Sequence, residues 1–278
     1  MTSFLSIFPE LRELIYIIIL TSPDPSPSPS INRNNRIGSD PSSAGRSQQE
    51  GEEIKGLREC NLYLSIPPKI ASIALLLCNW QIHSEISATI AHLKLTKNLH
   101  YEIDCELANE QAIYPTWLLI PVYLTCIPCI HVTFRPSGAC IGRSLFYGNG
   151  GPGMMIWSLL ALLNRFLKRG PDFLAPPMTS KSFKVEKLIL NITSPTLNPS
   201  ETLQLPNTQW PFRGAQAGEF IHPETIVNIM IWHFGEIFNS KRGYGAGFGK
   251  FIASRVASIL LTYDGEERCT WDLANMQV

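Results

Sequence analysis

"MMIWSLLALLNRFLKRGP", residues 154–171, decides the fold. Its apolar residues recur at helical spacing, Lys168 and Arg169 stand in the last turn, and Gly170-Pro171 is a stop signal. Upstream, "CIHVTFR" (129–135) carries Val, Thr and Phe in a period of two. Downstream, "VEKLILNIT" (185–193) sets Val185, Leu188, Leu190 and Ile192 mostly in alternation. A helix between two such strands is a right-handed crossover, and crossovers join parallel neighbours.

The same pattern spreads outward. "LHYEIDCEL" (99–107) alternates Leu99, Tyr101, Ile103 and Cys105. "HPETIVNIMIWHFGEIF" (222–238) opens with Pro223 and Glu224, a good first helical turn, with His222 at the N-cap. "RVASILLTYDG" (255–265) ends on an Asp-Gly turn, and "RCTWDL" (268–273) is its return strand. Residues 96–278 therefore read as an α/β domain. The expected sheet is small and mostly parallel, of about four to five strands with crossover helices. A mixed α+β arrangement is the alternative.

The longest uncharged run, "WLLIPVYLTCIPCIHVTF" (117–134), reaches the lower length of a membrane span. Pro121 and Pro128 would break such a helix. It reads instead as a helical turn, with Pro115 in the first helical position, followed by a buried strand. No membrane association is expected.

Of the 278 residues, 45% are apolar and 17% charged, and 23 Lys plus Arg balance 23 Asp plus Glu. Zero net charge without basic runs argues against a nucleic-acid partner. Seven dispersed cysteines and an N-terminus without a basic leader point to reduced thiols in the cytoplasm or nucleus.

Residues 4–20 form a short apolar helix with Leu11, Leu14, Ile15 and Ile18 at helical spacing. Residues 21–56 are dominated by Ser, Pro, Asn and Gly and read as a disordered spacer. Within it Ser22, Ser26 and Ser28 each precede proline. From Lys69 to Leu93 a helix carries two apolar lines, and Ile73, Leu77 and Trp80 make the second. Such a helix is buried between layers or presents one side to a partner.

Several motifs invite chemistry. "GNGGPG" fits G-x-G-x-x-G at Gly148, Gly150 and Gly153, the basis of an alternative reading as a nucleotide- or phosphate-binding enzyme. No strand leads into it, Pro152 removes a donor, and Asp172 sits in a turn, so a helix-entry turn is preferred. "GYGAGFGK" (243–250) fails the P-loop pattern at Tyr244 and Phe251 and reads as a loop. Cys126-Ile127-Pro128-Cys129 enters a strand and reads as core cysteines. His233 lies on an apolar stripe and reads as a core histidine. No nucleophile elbow or zinc signature occurs. The reading is non-enzymatic, without cofactor or metal.

"SIFPELRELIYIIIL" (6–20) resembles the first helix of fungal F-box-like proteins, typically L-P-x-E-L-R-x-x-I-Y. Glu10, Leu11, Arg12, Ile15 and Tyr16 match; Phe8 stands at the proline and Pro9 one place later. "ALLLCNWQIHSEI" (74–86) resembles the second half, L-L-x-x-N/C-R-Q-I-x-x-E, through Leu75, Leu76, Asn79, Gln81, Ile82 and Glu85, with Trp80 for the arginine. Stretches of the body are similar to the same uncharacterised group. The resemblance implies a helical module in two halves (1–20 and 57–95) split by the insertion. It implies docking on a Skp-type adaptor of a cullin ubiquitin ligase through Phe8, Pro9, Leu11, Leu14, Ile15 and Trp80. A degenerate scaffold without docking is the third reading.

Overall fold

A computed structural model describes residues 4–27, 35–38, 60–109, 112–140, 153–176, 182–195, 202–206, 218–239 and 244–275. After a 3-10 turn at Phe4–Ser6, helix α1 spans Pro9–Thr21. A small antiparallel ribbon pairs β1 (Arg36–Gly38) with β2 (Leu62–Leu64). Helices α2 (Ile73–Leu76) and α3 (Trp80–Leu95) follow. The body holds β3 (Tyr101–Ala108), β4 (Ala112–Leu119), β5 (Cys126–Ser137), α4 (Met154–Arg169) and β6 (Lys184–Ile192). Then come a short parallel pair, β7 (Thr202–Leu203) with β8 (Glu219–Phe220), and α5 (Pro223–Asn239), α6 (Tyr244–Ala253), β9 (Val256–Tyr263) and β10 (Glu266–Asp272).

The main sheet has six strands in the order β10-β9-β6-β5-β3-β4. Its four central strands are parallel, and β4 and β10 are antiparallel edges. The expected count of four to five is thus corrected to six. The added strand is β4, where a helical turn was expected. Ile113, Pro115 and Leu119 are buried at period two, and Pro115 is tolerated because an edge strand lacks a second ladder to supply.

Successive parallel strands step across the sheet in one direction, which puts their crossover helices on one face. Ile130, Val132, Phe134, Leu188, Leu190, Ile259 and Leu261 meet α4 and α5 in the main core there. Helix α4 stops at Gly170, whose φ of +78° favours glycine and whose absent Cβ would lie 2.3 Å from the Phe183 ring. On the other face His131, Thr133, Asn191, Ser258 and Leu260 are only half-buried.

Two further corrections concern helices. The expected 69–93 helix is broken at residues 77–79, where the Asn79 side chain accepts from the Ile82 N–H at 2.9 Å and caps α3. The stretch 243–250, expected as a loop, falls almost wholly within α6, which forms because Phe248, Phe251 and Ile252 are buried. Part of the 21–56 insertion is also ordered. Thr21 ends α1, the Asp24 N–H donates to the Leu118 carbonyl at 2.9 Å, and Arg36 is hydrogen-bonded to Leu62, Pro115 and Thr116. The rest of the insertion lies outside the described residues.

A second core gathers Tyr16, Leu20, Ile82, Ile86, Ile90, Leu93 and Leu99 beneath the N-terminal end of the sheet. It is joined to the body through the 120–125 link. There Tyr101 Oη donates to the Val122 carbonyl and accepts from the Leu124 N–H. The Ala71 and Ser72 amides donate to the carbonyls of Ile120 and Pro121 at 2.8 and 3.0 Å. Residues 60–64, expected within the helical module, belong to the body instead: Tyr63 lies in the main core and Asn61 Nδ2 donates to the Ser158 carbonyl.

Candidate docking surface

Helix α1 begins with Pro9 in its first turn, where a missing N–H costs nothing, and Glu10 at the positive end of the helix dipole. Its inner face is Arg12, Tyr16 and Leu20, all buried. A guanidinium cannot sit in such a place unpaired. Arg12 meets Glu85 of α3 in a fork, Nε to Oε2 at 2.9 Å and Nη2 to Oε1 at 2.5 Å. Its third nitrogen caps the Leu5 and Ile7 carbonyls. Tyr16 Oη and Gln81 Nε2 donate to the same carboxylate at 2.9 and 3.0 Å.

This network sets the local titration. The Arg12 hydrogen bonds hold the Glu85 carboxyl down to about 2. Burial, with the Glu85 hydrogen bond, pushes the Tyr16 hydroxyl up to about 12. The two motif halves therefore meet through their polar residues, 73 positions apart. The sequence displayed Arg12, Tyr16 and Glu85 as motif letters but gave no sign of their pairing.

The outer face of α1 is apolar and open. Leu11, Leu14 and Ile18 are 50%, 55% and 58% exposed, and Phe8 just before the helix is 74% exposed. Pro9 is exposed and Ile15 is half-buried at the edge of the stripe. In the neighbouring elements Ile73 of α2, Leu77 of the break and Trp80, the first residue of α3, are 50%, 81% and 83% exposed. Five of the six expected docking residues thus face outward. The helix break at 77–79 is the feature that the sequence reading lacked; it ends α2 before Leu77 and starts α3 at Trp80.

The other candidates resolve as follows. Gly148 and Gly150 lie outside the described residues, while Gly153 is the N-cap of α4. Cys126 is exposed and Cys129 half-buried, both as free thiols. Among the described residues no group of His, Cys, Asp and Glu could hold a metal ion. His222 Nδ1 accepts from the Glu224 N–H at 3.1 Å at the start of α5. His233 is buried, and burial pulls its pKa down to about 4.

One polar cluster was not anticipated. Asp104 and Glu106 of β3 are fully buried although they alternate with core residues. Arg135 grips Asp104 through Nε at 2.5 Å and Nη2 at 2.7 Å, and Ser137 Oγ donates to Glu106 at 2.7 Å. Arg135 Nη2 also donates to the Pro27 carbonyl at 3.1 Å. Part of the cover comes from the insertion, through Pro27, a partner that the alternation of β3 could not reveal.

No helix of the described residues is long and apolar enough to cross a membrane. No family model, curated protein or solved structure matches the chain, so the candidate docking face rests on its geometry and chemistry alone.

Proposed function

We propose that the chain is a non-enzymatic interaction protein whose α1–α3 corner docks on a Skp-type adaptor of a cullin ubiquitin ligase. The α/β body would then present a target. The observation that carries the reading is the outer stripe of α1: Phe8, Leu11, Leu14 and Ile18 open to solvent on a helix whose other face is already packed. An amphipathic helix anchors in a partner's groove through such a stripe. The resemblance of both motif halves to F-box-like proteins names the partner class. Balanced charge gives no support to a nucleic-acid partner, and the reading places the protein in the cytoplasm or nucleus.

Co-purification of the full chain with a Skp-type adaptor tests this. Leu11→Asp combined with Leu14→Asp lowers affinity by at least about a hundredfold, since two apolar anchors of about 1.5–3 kcal/mol each are lost. The melting temperature stays near that of the parent because both side chains are half exposed. An intact chain that never captures the adaptor, or a double variant that captures it equally well, overturns the reading. The first of these results leaves the scaffold reading.

A further inference from the structure

The main sheet carries its helices on one face only. Its four central strands are parallel, and α4, α5 and α6 send their buried side chains into the core on that face. Helices α1 and α3 pack into the second core with Leu99 instead. Parallel strands are ordinarily sealed on both sides. Strands β3, β5, β6 and β9 also step across the sheet in one direction. Solenoid proteins, which stack their units in the same one-way order, bind partners on such an extended open surface. Residues 22–27 reach across this face to Arg135 of β5, which donates to the Pro27 carbonyl at 3.1 Å. Beyond it, the side from β5 to β10 has no described helix over it.

That bare area has an apolar centre and a polar rim, as protein interfaces do. Ile189 and Leu260, both half-buried, stand directly opposite each other in the β6–β9 register. His131 lies beside Ile189 in the same row. Lys187 with Ser258 flanks the pair on one side, and Thr133 with Asn191 on the other. Rim groups are left open. Among the described residues Thr133 Oγ1 and Lys187 Nζ enter no hydrogen bond or ion pair. The His131 imidazole makes no hydrogen bond either and lies 5.2 Å from the His100 ring. The carboxylates at the margin are engaged. Glu102 meets His100 at 2.9 Å, Glu267 accepts from Thr270 Oγ1 at 2.8 Å, and Asp272 accepts from the Ala274 N–H and from Asn275 Nδ2.

We propose that this face docks a short peptide segment of a partner protein, with an aliphatic side chain seated on Ile189 and Leu260 and a neighbouring carboxylate on Lys187. Size decides between that occupant and a second copy of the chain. Four strands about 4.8 Å apart and three rows about 7 Å apart make a patch of roughly 200 Å². Each partner of a stable dimer contributes about 800 Å². Charge selects the segment. Lys187 is exposed and unpaired, so a carboxylate beside the aliphatic anchor gains an ion pair that a neutral segment lacks. The inference does not rest on the docking of α1.

The test selects a phage library of random dodecapeptides on the full chain carrying Leu11→Asp and Leu14→Asp, which removes the α1 stripe as a competing site. Enriched peptides are expected to share an aliphatic residue with Asp or Glu close beside it. Synthetic copies are expected to bind the Lys187→Glu variant about tenfold more weakly, and exchanging their acid for lysine is expected to restore the affinity. Leu260→Lys is expected to abolish binding while the thermal melt stays cooperative. A selection that enriches no peptide overturns the proposal, and so do peptides that bind both variants as tightly as the parent. A full chain that sediments as a dimer and becomes monomeric in Leu260→Lys also overturns it, since a second copy would then hold the face.

Discussion

His233 is a base that the fold keeps uncharged. It is 5% exposed in the main-core side of α5, and burial holds its pKa at about 4 against an ordinary 6.5. The unfolded chain therefore takes up a proton first as pH falls below 6.5, and stability declines toward pH 4. Glu85 acts in a lower window, from the usual carboxylate range down to about 2, because its charged form is the one Arg12 stabilises. His131 and His222 are lowered by burial in the same direction, so they add to the loss between pH 6.5 and 4.5, of which His233 accounts for about 2–3 kcal/mol. In urea melts over that interval His233→Leu is expected to reduce the slope by that share; an unchanged slope would show that the imidazole charges within the fold. His233 was legible from its apolar stripe, because a local pattern determined its place. The Arg12–Glu85 fork and the buried Asp104 were not, because their partners come from residues far along the chain.

Elements fixed by a strong local pattern came through intact: α4, α5, β5, β6 and the β9–β10 hairpin lie where their periodicity placed them. Elements whose local chemistry pointed elsewhere did not. Pro115 suits a helix start, yet pairing with β3 won and made β4 an edge strand. Three glycines between Gly245 and Gly249 suggest a loop, yet α6 forms because its phenylalanines are buried against the core. Gly249 has a specific task there: a Cβ would sit 2.3 Å from the Ile237 carbonyl of α5, so only glycine lets the two helices come this close. Gly235 in α5 has no atom within 4 Å of its missing Cβ. The two glycines therefore predict opposite signs. Gly249→Ala is expected to destabilise by about 1–3 kcal/mol as backbone is forced apart. Gly235→Ala is expected to stabilise by about 0.5–1 kcal/mol through helix propensity. Thermal melts of the two single variants check both, and equal shifts would refute the close α5–α6 contact.

At the scale of the whole molecule the described residues form two cores of unequal size, and the smaller one positions the exposed apolar stripe of α1. The helical corner was legible from its two motif halves, whereas its seat was not. The 120–125 link that carries it depends on Tyr101 and on long-range pairing of β3 with β5. Two cores joined through the 120–125 link and the few hydrogen bonds of residues 22–27 are expected to open separately, the smaller first. Ile86 lies at the centre of the small core and is fully buried. Ile86→Ala removes transfer energy and leaves a cavity, at a cost of about 2–5 kcal/mol. If the corner opens on its own, amide exchange in α1 and α3 accelerates while β5 and β6 keep their protection. Equal acceleration everywhere would mean that both cores unfold as one unit. The same variant leaves every exposed residue of α1 unchanged, so a loss of adaptor binding in Ile86→Ala would trace to the presentation of the stripe rather than to its composition.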